Sequence, residues 1–137
     1  MTRRIYVLST IAVMISVLAF ASAASASHKK GSEGCTPGYW KSHAGTGSGL
    51  LFETVFEDTS VTSPTTTLRQ AASIGGGGVN ALVRHAAAAY LNSVNDVDYL
   101  FHTADVVAMF NAANPSGNVE GTKNLFEAQN ELGCPLN

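Results

Sequence analysis

Apolar side chains recur at helical spacing through most of the chain after residue 50. The clearest case is the segment 79–94. Val79, Leu82, Val83, Ala86, Ala87, Tyr90, Leu91 and Val94 fall on one face, at i, i+3, i+4 and i+7. Arg84 lies opposite this stripe, and His85 and Asn92, two turns apart, lie on its flank. Ala86 to Ala89 stand in series, which favours helix and lets a neighbouring helix approach closely. This segment is predicted to be the central helix.

Shorter helices are predicted around it. Leu51, Phe52, Val55 and Phe56 repeat at helical spacing. Leu68 to Ile74 forms another short helix capped by one of the preceding threonines, and it stops at Gly75–Gly78. Thr103 is expected to cap Ala104–Ala113, with Val106, Val107, Phe110 and Ala113 facing inward. A last helix runs from Val119 or Thr122 to Leu132, its inward residues being Leu125, Phe126 and Leu132. Near the front, Thr36-Pro37 is a helix start, with Thr as the cap and Pro at the first position. That helix has room for about two turns before the flexible loop Gly45–Gly49. No period-2 alternation of strand length occurs. The pattern predicts an all-α domain of four to six short helices.

The first part of the chain reads differently. Met1-Thr2-Arg3-Arg4 is basic, Ile5–Ala21 is a largely apolar run, and Ala21–Ala26 offers small-residue cleavage sites after Ala23 or Ala26. That order is the pattern of a secretory signal peptide, expected over 1–26. The apolar run of about 17 residues is at the low edge for a membrane span, the competing reading. Residues 27–34 form a polar lead-in, expected to be mobile, and the helical extracellular domain occupies 35–137.

Removal of Arg3 and Arg4 moves the net charge from -2 to -4. An acidic balance argues against nucleic acid and against an anionic partner held by charge alone. The membrane is then met only during export. A domain of about 110 residues buries a modest core and gains from a staple. Cys35 and Cys134 supply one: export implies an oxidising compartment, where an N-to-C-terminal disulfide is the default, ahead of free thiols or intermolecular bridges.

Gly34-Cys35-Thr36-Pro37-Gly38-Tyr39-Trp40-Lys41 resembles the opening motif of a secreted bacterial and archaeal module of unknown function. Phe52-Glu53-Thr54-Val55-Phe56, Ala81-Leu82-Val83-Arg84-His85-Ala86 and Leu91-Asn92 continue the likeness. The resemblance implies an extracellular helical domain whose polar core is Trp40, Lys41, His43, Arg84 and His85. It names no substrate.

Those five residues are the candidate site. If the helices carrying them pack, Lys41 and Arg84 could receive a carboxylate over an aromatic floor, with His43 and His85 beside them. The structural alternative makes Trp40 a core anchor, gives the two imidazoles backbone partners and leaves the cations solvated. His43, His85 and His102 are scattered, and Asp96-x-Asp98 is continued by no oxygen side chain, so neither a metal nor another cofactor is expected. No catalytic residue is assigned. The expected function is a secreted, non-enzymatic extracellular or cell-surface module acting in binding or assembly. Its partner would be an unidentified extracellular ligand or protein, or a second copy of the chain. The alternative is a hydrolase or lyase using a His43/His85 pocket with Lys41 and Arg84.

Overall fold

A computed structural model describes residues 29–57, 60–114 and 117–136. Segment 1–26, where a signal peptide is expected from the sequence, lies outside the described residues. Six helices follow in chain order: α1 (Pro37–Trp40), α2 (Phe52–Phe56), α3 (Leu68–Ala71), α4 (Val79–Val94), α5 (Thr103–Ala113) and α6 (Val119–Asn130). The fold is all-α, and Cys35 and Cys134 are joined by a disulfide.

Helix α4 has the bounds its pattern predicts, and α1, α3, α5 and α6 all pack on it. Its burial is wider than one stripe. Ala81–Val83, His85–Ala89, Leu91 and Asn92 are all buried. The reason is the alanine run: with only a methyl group at each position, helices can close on the flanks as well as on the face. Aromatic residues fill the space on either side. Phe52 and Phe56 of α2 meet Phe110 of α5 with ring centroids 5.3 and 4.6 Å apart. Phe101 links Tyr99, before α5, to Phe126 of α6.

Several local expectations need correction. Leu125 and Leu132 face outward, 55% and 51% exposed, and of the three predicted inward residues of α6 Phe126 alone is buried. The inward face of α6 is Phe126, Gln129 and Asn130. Polar side chains occupy it because backbone carbonyls and a phenol there need partners. Helix α1 is a single turn, capped as expected by the Thr36 hydroxyl, which accepts from the Tyr39 N–H at 3.1 Å. His102, not Thr103, precedes α5, and the Thr103 hydroxyl is 2.9 Å from that of Ser93. Thr67 caps α3 in a reciprocal box with Gln70.

The lead-in is also held where it is described. Lys30 N–H and the Ser32 hydroxyl each donate to Asp98 at 2.8 Å, and Gln129 Nε2 donates to the carbonyl of Gly31 at 3.1 Å. The composition of the lead-in holds no signal for these distant partners.

The centre of the molecule is a closed polar network. Asn92 Oδ1 accepts from the Cys35 N–H at 3.0 Å and the Trp40 indole N–H at 2.9 Å. Asn92 Nδ2 donates to the Cys35 carbonyl at 2.9 Å and to Asn130 Oδ1 at 3.0 Å. Asn130 Oδ1 also accepts from the Tyr99 hydroxyl at 2.8 Å, and Asn130 Nδ2 donates to the His85 carbonyl at 3.0 Å. Asn92 and Asn130 are both fully buried. Each of their side-chain oxygens and nitrogens finds at least one partner within the protein, as burial requires.

The closure at the two ends is tight. Gly34 N–H donates to the Gly133 carbonyl at 3.0 Å beside the disulfide. A Cβ at Gly34 would run into the Gln129 carbonyl oxygen and come within 2.9 Å of Asn130 Cα. Glycine is therefore needed here for close approach of two backbones.

Reduction of the Cys35–Cys134 bridge, which spans 99 residues, should lower stability by up to about 4–5 kcal/mol. Thermal melts with and without reductant check this, and a shift below about 5 °C would contradict it. Asn92→Leu should cost about 3–5 kcal/mol in urea unfolding, because it strands the Cys35 peptide, the Trp40 indole and Asn130 without partners. Asn80→Leu on the exposed side of α4 serves as the control, expected within about 0.5 kcal/mol of the parent.

Candidate functional site

One turn of α1, the connection from α3 to α4, and α4 and α6 border an open concave site of about 450 Å³. Lys41 enters it from the end of α1, and Arg84 and His85 from the second turn of α4. Glu127 and Glu131 enter from the end of α6, and Ser73 from the stretch after α3. The wall holds both signs of charge.

The five sequence-derived candidates are distributed as follows. Lys41, Arg84 and His85 line this concavity together. Trp40 is 1% exposed, with its indole N–H committed to Asn92, so it is a core anchor rather than an aromatic floor. His43 does not line the site. It is exposed, its ring stacked on Tyr39 at 4.1 Å with planes 3° apart, and its Nδ1 lies 2.9 Å from the Tyr39 carbonyl. A single turn of α1 separates the two directions: Lys41 faces the cavity, whereas His43 folds back over Tyr39.

Sequence reasoning missed Glu127 and Glu131. The available signal was their i, i+4 spacing, continuing the charged series Glu120, Lys123, Glu127 along α6. That series reads as a solvated helix face until α6 is known to pack on α4 beside His85.

Charge within the site is partly committed. Arg84 Nη1 donates to the carbonyls of Ile74 at 2.7 Å and Gly76 at 3.1 Å, which ties the glycine turn to α4. Lys123 Nζ bridges Glu120 Oε1 and Glu127 Oε2, each at 2.9 Å. The hydrogen bond from Lys123 holds the Glu127 carboxyl below its usual pKa, and the same bond raises that of Lys123. His85 Nε2 lies 3.6 Å from Glu127 Oε1. Burial lowers the pKa of His85 from 6.5, Glu127 opposes that shift, and Arg84 and Lys123 reinforce it. His85 is therefore neutral at pH 7. Its Nδ1 is buried and finds no hydrogen-bond partner among the described residues, a further reason for the ring to resist a second proton.

Among the described residues, no group of three or more His, Cys, Asp and Glu side chains is placed to hold a metal ion. The Ser73 hydroxyl donates to the Arg69 carbonyl at 3.2 Å and lies in no relay with an imidazole. The arrangement can offer ion pairs and hydrogen bonds to a polar ligand.

A second concavity, of about 830 Å³, lies between α2, α4 and α5. Leu50, Val55, Tyr90 and Val107 line it, with Thr54, Thr103 and Asn111 as polar points and no charged side chain. No helix among the described residues is long and apolar enough to cross a membrane.

Comparison with known families gives a match to the protodermal factor 1 C-terminal domain over residues 35–134. The chain belongs to that family. The resemblance to a secreted bacterial or archaeal module, drawn from Gly34–Lys41, is overturned by this assignment. The matched region of this protodermal factor 1 C-terminal domain begins and ends at the two bridged cysteines. The family segment and the disulfide-closed loop are thus the same stretch of chain. No curated protein and no solved structure matches it.

The buried imidazole gives this domain a defined acid response. His85 titrates near 6.5 when unfolded and lower when folded, so below about pH 6.5 the unfolded chain takes up the proton first. Its contribution is complete above pH 6.5 and is lost as pH falls through 6.5 toward the lowered folded value. Urea midpoints between pH 7.5 and 5 should therefore fall with pH, with a shallower slope in His85→Gln. An unchanged slope would remove His85 as the cause.

Proposed function

We propose that the protein is an exported, non-enzymatic module that acts at the cell surface or outside the cell by binding, with the concavity beside Lys41 and Arg84 as its binding site. The observation that carries this reading is the separation of the two imidazoles. His85 stands in a wall of the cavity, buried, and His43 lies outside it, stacked on Tyr39. A hydrolase or lyase built on both would need them to reach one substrate. A binding site needs only the charges that do converge there.

The disulfide supports the extracellular part of the reading, since such bonds persist in oxidising compartments. So does the order of basic, apolar and small residues in 1–26. Assembly with further copies would be a second use of the same rigid frame, and the uncharged concavity between α2, α4 and α5 would suit it.

Expression of the full chain in a secreting host tests the proposal. The expected product in the medium starts after Ala23 or Ala26, carries no free thiol and is retained on extracellular material. Lys41→Glu should reduce that retention without changing the melting temperature, since Lys41 is exposed. Retention inside the cell with both thiols free would overturn the reading. Sedimentation of the purified protein decides the assembly part: a monomer at all concentrations leaves binding alone.

A further inference from the structure

The concavity carries a more specific chemistry than mixed polarity. Of its four formally charged side chains, two are already engaged. Glu127 is bound by Lys123, and Arg84 is fixed by two carbonyls through one nitrogen. Lys41 and Glu131 have no ion-pair partner within 4.0 Å among the described residues. They carry opposite charges, and they come from opposite ends of the helical domain, one just after α1 and the other at the end of α6. The backbone under both is held rigidly. Arg69 Nε donates to the Lys41 carbonyl at 3.0 Å, and the Glu131 N–H donates to the Glu127 carbonyl at 3.1 Å. The disulfide then fixes the start and the end of the helical domain to one another.

We propose that this cavity binds a small zwitterion, an amino acid or short peptide, with its carboxylate at Lys41 and Arg84 and its ammonium at Glu131. Arg84 is prepared for this role. Its Nη1 contacts hold the guanidinium in place, and no hydrogen bond from its Nη2 or Nε occurs among the described residues. A preorganised guanidinium loses less freedom when it receives a carboxylate.

Other ligand classes fit less well. A simple anion would sit against Glu127 and Glu131, and a simple cation against Lys41 and Arg84. Each leaves a like charge facing it, which costs affinity. A saccharide finds no Phe, Tyr or Trp face in the wall, because Trp40 is sealed in the core. The zwitterion satisfies both free charges at once. This inference rests on the concavity being the binding site of an exported module, and it adds the ligand class.

Titration calorimetry on the disulfide-closed full chain, at pH 7 and low salt, tests it with the dipeptide Ala-Ala as the probe. Binding is expected, with a loss of about tenfold or more when the amine is acetylated or the carboxylate amidated, as for removal of one charged hydrogen bond. Lys41→Gln should weaken the unmodified and N-acetylated dipeptides alike and spare the C-amidated one. Glu131→Gln should show the converse. Both side chains are exposed, so unchanged melting curves confirm that each variant is folded. No heat with Ala-Ala, equal binding of the N-acetylated form, or indifference to both substitutions overturns the proposal. If the protein is still exported and its retention still depends on Lys41, the zwitterion fails while the binding function stands. If export fails while Ala-Ala binds, the reverse holds.

Discussion

The fold depends on one hydrogen bond between two buried amides, Asn92 Nδ2 to Asn130 Oδ1. It ties α4 to α6, and each amide carries further chain segments with it. Asn92 takes both backbone groups of Cys35 and the indole of Trp40. Asn130 takes the phenol of Tyr99 and the carbonyl of His85. The start of the domain, its central helix, the approach to α5 and its last helix therefore meet at one point. Buried amides are costly unless partnered, and each oxygen and nitrogen of these two has at least one partner. The disulfide lies beside this point and reinforces it. Burial of the Tyr99 hydroxyl, which raises its pKa, places that group in the same water-excluded space.

The candidate site inherits its geometry from this centre. His85 offers its carbonyl to Asn130 and its imidazole to the cavity, so one residue of α4 belongs to both. Lys41 follows directly after Trp40, whose indole is fixed by Asn92. Glu131 follows directly after Asn130. Three cavity residues are thus the network's own members or its immediate neighbours. Short helices are marginal by themselves, and α1 has a single turn. Tertiary anchoring at Trp40 is what gives Lys41 a defined position.

The sequence was most legible where one physical rule acted alone. Thr36 caps α1 as its place before Pro37 requires, and α4 runs from Val79 to Val94 as its periodicity requires. It was least legible where polar residues had to be assigned a side. Asn92, Gln129 and Asn130 count as polar in any pattern, yet they are buried, while Leu125 and Leu132 count as apolar and are exposed. The same blindness hid Glu127 and Glu131 and set His43 beside His85. A motif of adjacent letters does not say which way each side chain turns after a one-turn helix.

The sequence by itself therefore determined the all-α class, the bounds of α4, the cap of α1, a threonine as the cap of α3 and the availability of one cysteine bridge. These follow from local rules: side-chain spacing, cap chemistry and cysteine count. Tertiary structure alone decided which helices meet, that the lead-in is bound to Asp98 and Gln129, and that Lys41, Arg84 and His85 share a cavity with two glutamates while His43 does not. Those facts depend on hydrogen bonds between residues 30 to 100 positions apart in the chain, for which a linear pattern holds no signal.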